Sequence, residues 1–361
     1  RTADGGRKIL LSGGGRCNVL PADLAERRFV TASSPRSLRK ILRSWPLAEM
    51  RRFFEREAAL PLVLEKATGK LFPVADSSRA VRDALRSLAE RRGVELRGRT
   101  LVTGLHPEGG RWRIALHDQP AISADAVVTA TGGLSVPATG SAGFGLSVLA
   151  TLGHTVHPTY PALTPLTLDP PAFASLAGVS LDVSITARSA TERRSASGGF
   201  LFTHRGYSGP ALLDVSHVAV RSRLEGGAPA TLTVRWTPQG AEEWREALAP
   251  SAGQVGTVVR RALPDRLADQ LLADAGVPAD TPRSRLDRPA RERLITALTA
   301  WPLPWTGDEG YKKAEVTGGG VALDEVDPVT MESRLHPGLH LAGELLDAFG
   351  PNGGYNFTWA W

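Results

Sequence analysis

Cysteine is nearly absent: Cys17 is the single thiol in 361 residues. Intrachain disulfides and any cysteine-based zinc or iron–sulfur site are therefore excluded, and no other metal-ligand spacing is visible. No apolar run approaches the ~18–20 residues of a membrane span, and no signal-peptide pattern occurs. The chain thus reads as soluble and cytoplasmic, with no membrane partner. It also lacks an internal repeat, an aromatic platform of the RNA-binding kind, and any G-x-G-x-x-G fingerprint. The last absence counts against a complete Rossmann nucleotide site within these residues. The first residue is Arg1, in a polar approach to a glycine loop, so a missing upstream segment is expected, and with it any signal.

Hydrophobic residues make up 42% and charged residues 22% of the chain, which excludes a mainly disordered protein. The length allows two domains, because single cores rarely grow past roughly 250–300 residues. Lys and Arg total 43 against 37 acidic residues, a net charge of +6. That balance permits an anionic ligand or an RNA partner, although an Arg-rich, Ala-rich and Gly-rich proteome would produce the same numbers.

The apolar run Lys8-Ile-Leu-Leu-Ser12 feeds into Gly13, Gly14 and Gly15 and reads as a strand end. Helical spacing covers 37–58, broken at Pro46, and 78–92. From 94 to 130 the period shifts toward two, giving strands at 94–96, 101–102, 112–116 and 126–130, and a helix is expected from Gly143 to about Leu152. Strand, double glycine, loop and helix is the βα order of a doubly wound sheet. The proline-rich stretch from His157 to Pro171 marks a domain boundary. Beyond it come strands at about 179–187, 200–203 and 230–236, with helices at 209–217, 241–249, 253–275 and 284–299, which together read as an α+β insertion. The strand and glycine rhythm returns at Ala314–Gly320 and His340–Glu344, and the last residues read as the first turn of a helix whose remainder is absent.

Four glycine-bearing turns, at 13–15, 132–133, 318–320 and 353–354, each fall near the end of an expected strand. Any one is explained as a tight turn. As a set they favour a ligand, because backbone amides at such turns suit phosphates and carbonyl oxygens of a dinucleotide.

The run Gly6-Arg-Lys-Ile-Leu-Leu-Ser-Gly-Gly-Gly-Arg-Cys-Asn18 resembles the signature of the bacterial HI0933-like, or aminoacetone-oxidase-like, FAD-binding family. Gly69–Ser77, Ala130–Ser141, Leu201–Pro210, Val316–Val321 and Ala342–Asn356 are similar to further segments of that family, in the same order over nearly the whole chain. The resemblance implies an α/β fold, a glutathione-reductase-like Rossmann FAD-binding domain (1–157 and 312–361) carrying an inserted α+β substrate domain (158–311). In that family the dinucleotide fingerprint precedes the glycine–Arg–Cys–Asn loop, so about 30 residues of the FAD site are expected to lie before Arg1, judged by one βαβ unit.

Carried over residue by residue, the resemblance puts Gly13, Gly14, Gly15, Arg16, Cys17 and Asn18 along the pyrophosphate or flavin, Val102 near adenine, and Gly132 and Gly133 near the pyrophosphate. It puts Gly343, Glu344 and Asp347 toward the ribityl and phosphate region, and Gly353, Gly354 and Asn356 at the isoalloxazine edge. Cys17 is a candidate proton donor or a small residue packed on the cofactor. His204 and Tyr207 are alternative proton donors, or simply shape a loop. The implied function is a flavin reductase that passes hydride to an activated C=C, in an enone or in uridine of rRNA, with NAD(P)H as the donor. The alternatives are an amine or aminoacetone oxidase using O2, and a flavin-free RNA-binding protein.

Overall fold

The computed structural model describes residues 5–361. Two compact units divide the chain, one running to Pro161 and resuming at Glu315–Trp361, the other comprising Ala162–Ala314. The fold is α/β.

The first unit opens on a helix, α1 (Arg7–Leu11), followed by a 3-10 turn at Ser12–Gly15. This corrects the strand expected at 8–12. Three successive apolar residues fit either element by periodicity alone, and packing decides: Ile9 joins Ala84, Leu85 and Leu88 against a small core of Cys17, Val19, Leu20, Met50, Phe54 and Val81. Strand β1 (Leu20–Pro21) starts a three-stranded antiparallel sheet. Then come α2 (Pro35–Ser44) and α3 (Leu47–Arg52), separated at Pro46, which cannot donate a helical hydrogen bond. Ser34 caps α2 by accepting from the Arg36 amide at 3.2 Å, and Leu38, Ile41 and Leu42 form its buried stripe.

Strands β2 (Leu62–Glu65) and β3 (Lys70–Pro73) complete that sheet in the order β1-β3-β2, and α4 (Ser78–Arg91) follows. A meander of β4 (Val102–Glu108), β5 (Arg111–Leu116) and β6 (Gln119–Ala124) comes next. Residues 94–96 form no strand, and β6 lies where none was expected. After β7 (Val127–Thr129) the chain runs through the Gly132–Gly133 turn to α5 (Phe144–Thr151), then β8 (Val156–Ala162).

In the second unit, β9 (Leu166–Thr167), β10 (Ser180–Arg188), β11 (Arg193–Phe202) and β12 (Gly206–Ser208) precede α6 (Pro210–Leu224) and β13 (Thr231–Arg235). Helices α7 (Ala241–Ala247), α8 (Val255–Arg260), α9 (Asp265–Asp274) and α10 (Arg288–Thr299) follow, then β14 (Trp301–Pro302) and β15 (Gly307–Asp308). The single helix expected over 253–275 is two, because Pro264 stands between them. The strands form one sheet of seven in the order β14-β13-β10-β11-β12-β9-β15, with α6 against β10 and β11. Phe200, Phe202, Tyr207 and Trp236 fill its interior.

Back in the first unit, β16 (Val316–Val321) pairs with β8, and β17 (Leu339–Leu341) pairs in parallel with β7, Leu339 opposite Val127. Gly318, Gly319 and Gly320 lie inside β16, not in a turn after it. A Cβ on Gly318 would stand 2.3 Å from the Tyr160 ring, and one on Gly319 2.2 Å from the Pro158 carbonyl oxygen. These glycines exist for close strand contact. A second core of Leu146, Leu149, Val321, Leu339, Leu341 and Leu345 lies under the β7 and β17 pair, and α11 (Tyr355–Ala360) ends the chain.

Candidate functional site

A cleft of about 590 Å³ opens in the first unit. One side is the turn after α1, where Gly13 and Gly14 adopt left-handed φ of 55° and 66°. Around Gly14 there is open space where a Cβ would project, so its backbone is accessible. Phe72, Phe349, Phe357 and Trp359 supply an apolar wall, and Lys8, Arg16, Lys70 and Glu344 supply charge. An apolar wall beside an exposed glycine backbone and charged side chains is chemistry suited to an aromatic ring system bearing phosphates.

Glu344 is the polar hub. Its carboxylate accepts from the Thr317 amide at 3.0 Å and the Thr317 hydroxyl at 2.9 Å. It also accepts from the Ser135 hydroxyl and pairs with the Lys8 ammonium, which reaches Ser135 as well. Thr317 Oγ1 in turn accepts the amides of Leu134 and Ser135 at 2.7 and 3.1 Å. Gly133 permits that approach: a Cβ there would lie 2.4 Å from Thr317 Oγ1. Gly132, with φ of 71°, is half-buried beside it.

Arg16 lies over the Phe72 ring at 4.1 Å and is tied to Asp76 at 2.5 Å and Glu65 at 3.0 Å, so its guanidinium charge is already partly matched. Asn18 lines the cleft, whereas Gly15 lies outside it. Cys17 is fully buried with a left-handed φ of 60° and belongs to the small core beneath the turn, not to the cleft lining. Burial pushes its thiol up to about 11, against a smaller opposing hydrogen bond from Ser12.

At the C-terminal side, Gly353 and Gly354 line the cleft, and a Cβ on Gly354 would sit 2.8 Å from the Leu20 and Pro21 backbone. Asn356 stitches the preceding loop: it accepts from the Gly350 amide at 2.9 Å and donates to the Gly350 carbonyl at 3.0 Å. Gly343 packs against Ala360 with φ of 79°. Asp347 is buried and faces away from the cleft, its Oδ2 accepting the amides of Ala32 and Ser33 and the hydroxyls of Thr31 and Ser33 at 2.7–2.9 Å. Val102 packs against the larger core and does not line the cleft.

His204 and Tyr207 are in the second unit. His204 is exposed and lines a separate polar pocket with Arg205, Arg223, Asp169 and Asp308. Tyr207 is buried among Phe200 and Phe202, its hydroxyl has no hydrogen-bond partner among the described residues, and burial pushes its pKa up. The two side chains face different surroundings although only three positions separate them.

The HI0933-like protein Rossmann domain model matches residues 1–361. The chain belongs to that family. Among its curated relatives, the ribosomal RNA dihydrouridine synthase of Escherichia coli is 32% identical over 99% of this chain and 86% of its own length. A protein of the same name from Haemophilus influenzae is 30% identical over 99% of this chain and 87% of its own. The 3-dehydro-bile acid delta(4,6)-reductase of Clostridium scindens is also 30% identical, over the same shares of each chain.

In this HI0933-like chain the sequence reading missed Lys8, Ser135 and Thr317, which build the Glu344 hub, and Phe72 and Trp359, which build the wall. Lys8 and Thr317 stood inside recurring glycine segments, so a polar residue beside each glycine turn was the available signal. The pairing of Ser135 with Glu344, 209 positions apart, was not available from spacing.

Proposed function

We propose that the protein is an FAD-dependent reductase that adds a hydride and a proton across an electron-poor C=C bond, with a uracil ring of ribosomal RNA as acceptor and NAD(P)H as electron donor. The observation that carries this reading is the 32% identity to a ribosomal RNA dihydrouridine synthase over 99% of the chain. The cleft supports it because its residues fit the cofactor: an exposed glycine backbone at Gly13 and Gly14, the Lys70 cation for phosphate charge, and an aromatic wall for the ring system.

FAD, when bound, supplies hydride transfer between the donor and the acceptor. The chain's own part is to bind, orient and exclude water. Lys70 balances phosphate charge, while the Lys8 ammonium is matched by Glu344, itself held by Thr317. Phe72, Phe357 and Trp359 strip water from the apolar side. The bile acid reductase relative supports a second reading, in which the acceptor is a small enone.

The test incubates FAD-loaded protein with NADPH and either ribosomal RNA transcripts or a steroid dienone. A gain of two hydrogens on one uridine, read by mass spectrometry of nuclease digests, supports the first reading. Saturation of the dienone alone supports the second. Rapid reoxidation of the reduced protein by O2 with neither acceptor consumed would remove both in favour of an oxidase.

A further inference from the structure

We propose that the exposed basic face formed by the turn Glu26–Arg28 and helix α2 holds the sugar-phosphate backbone of the RNA substrate. This inference rests on the RNA reading above and adds a location to it.

The chain's charge is unevenly spread. Residues 26–57 carry nine Lys and Arg against four Glu, a net +5 of the whole chain's +6. Along α2, Arg36, Arg39, Lys40 and Arg43 fall three, four and seven positions apart, all exposed, opposite the buried Leu38, Ile41 and Leu42. The helix thus presents a cationic row about 10 Å long at 1.5 Å per residue. Among the described residues, the Glu26 carboxylate pairs with Arg39 at 3.1 Å and Arg43 at 2.7 Å. Arg27, Arg36 and Lys40 have no ion-pair partner among the described residues. These three cations are free for phosphate oxygens.

Two further features select the occupant. None of the large exposed apolar side chains lies between residues 12 and 62, so the face lacks the hydrophobic anchor a membrane surface would require. Its charges are spread along an exposed helix and do not converge on a cavity, which suits a polyanion better than a single small anion. The face also connects to the cleft. Arg28 stacks over the Tyr355 ring at 4.9 Å and donates to its hydroxyl at 3.4 Å. Tyr355 begins α11, whose Asn356, Phe357 and Trp359 line the cleft. A strand of RNA on α2 would therefore run toward the site where a base is reduced.

The experiment compares the full chain with the triple variant Arg27→Glu, Arg36→Glu and Lys40→Glu, and with the triple Lys/Arg exchange at the same positions. Fluorescence anisotropy on a labelled ribosomal RNA fragment is measured across a salt series, with FAD content and NADPH-to-quinone turnover as controls for folding. The charge-reversed variant should bind at least tenfold more weakly at low salt, and its log K against log salt slope should be shallower by about 2, at roughly 0.7 per lost single-strand phosphate contact. The exchange variant should bind like the parent. Equal affinity and slope in the charge-reversed variant, with the parent binding RNA, overturns the basic face alone. A parent that binds no RNA overturns both the face and the RNA reading. Loss of binding to phosphatidylglycerol vesicles but not to RNA would assign the face to membranes and overturn the proposal.

Discussion

Gly14 and Gly354 both hold left-handed backbone, yet they differ in what surrounds them. At Gly14 a methyl group would meet nothing within 4 Å, whereas at Gly354 it would press on the Leu20 and Pro21 backbone at 2.8 Å. Gly14→Ala should therefore cost only backbone strain, about 1 kcal/mol. Gly354→Ala adds a clash that backbone cannot relieve and should cost about 3 kcal/mol in urea unfolding. Equal costs would show that the C-terminal loop yields freely. Cys17 gives a second prediction at this scale. Its buried thiol stays protonated at neutral pH, and the side chain belongs to the core of the turn. Labelling by a thiol reagent at pH 8 should be at least a hundredfold slower in the native state than in urea, and Cys17→Ser should keep most of the turnover. A serine variant that binds flavin normally yet has lost all turnover would instead make the thiol a catalytic group.

Glu192 ties together two elements of the second unit. It stands in the connection between β10 and β11, with Arg194 at 2.7 Å, and reaches Arg221 at 3.2 Å and His217 at 3.5 Å on α6. Burial alone would raise its pKa from the ordinary 4.5, but the neighbouring His217 and Arg194 override burial and hold it at about 2. A depressed carboxylate stabilises the fold fully above its unfolded value and loses that share as pH falls from about 4.5 through about 2. Glu192→Gln should therefore be less stable than the parent at pH 7, and the gap should close between pH 4.5 and 2. A gap in urea midpoint that stays constant down to pH 2.5 would refute the assignment. At this same scale the sequence was legible wherever one period ran long enough. The Leu38, Ile41 and Leu42 stripe gave α2, and Val81, Leu85 and Leu88 gave α4. It was ambiguous at Lys8–Leu11, where three apolar residues suit helix or strand. It was silent on the first half of β11, whose Arg193–Gly199 stretch is polar and glycine-bearing and forms a strand only through its nine-position register with β10. Of the cleft, the glycine turns were readable because conformation demands them locally, whereas the Glu344 hub joins α1, the loop after β7 and β16 and exists only in three dimensions.

For the whole molecule, the division into two units with separate cores makes a prediction about where a cofactor acts. The first unit's cleft is bounded by the Lys8–Asn18 turn and the segment from Phe349 to Ala360, and no residue of the second unit lines it. A ligand stabilises only the states that bind it, by an amount set by its concentration over its dissociation constant. Local opening of the two cleft segments should therefore become rarer when FAD binds, while opening of an element in the second unit that meets no ligand need not change. The β10–β11 ladder, the longest antiparallel pairing in the chain's sheets, is the internal standard: Ser180 to Arg188 pairs with Leu201 to Arg193 without interruption. Hydrogen exchange read by mass spectrometry, with and without saturating FAD, should show new protection in peptides covering residues 8–18 and 349–360. Peptides covering 180–202 should be strongly protected already and should not change. New protection confined to 180–202, or around His204 and Arg223 in the second unit's polar pocket, would move the cofactor out of the cleft and withdraw the binding roles given to Gly13, Gly14 and Lys70.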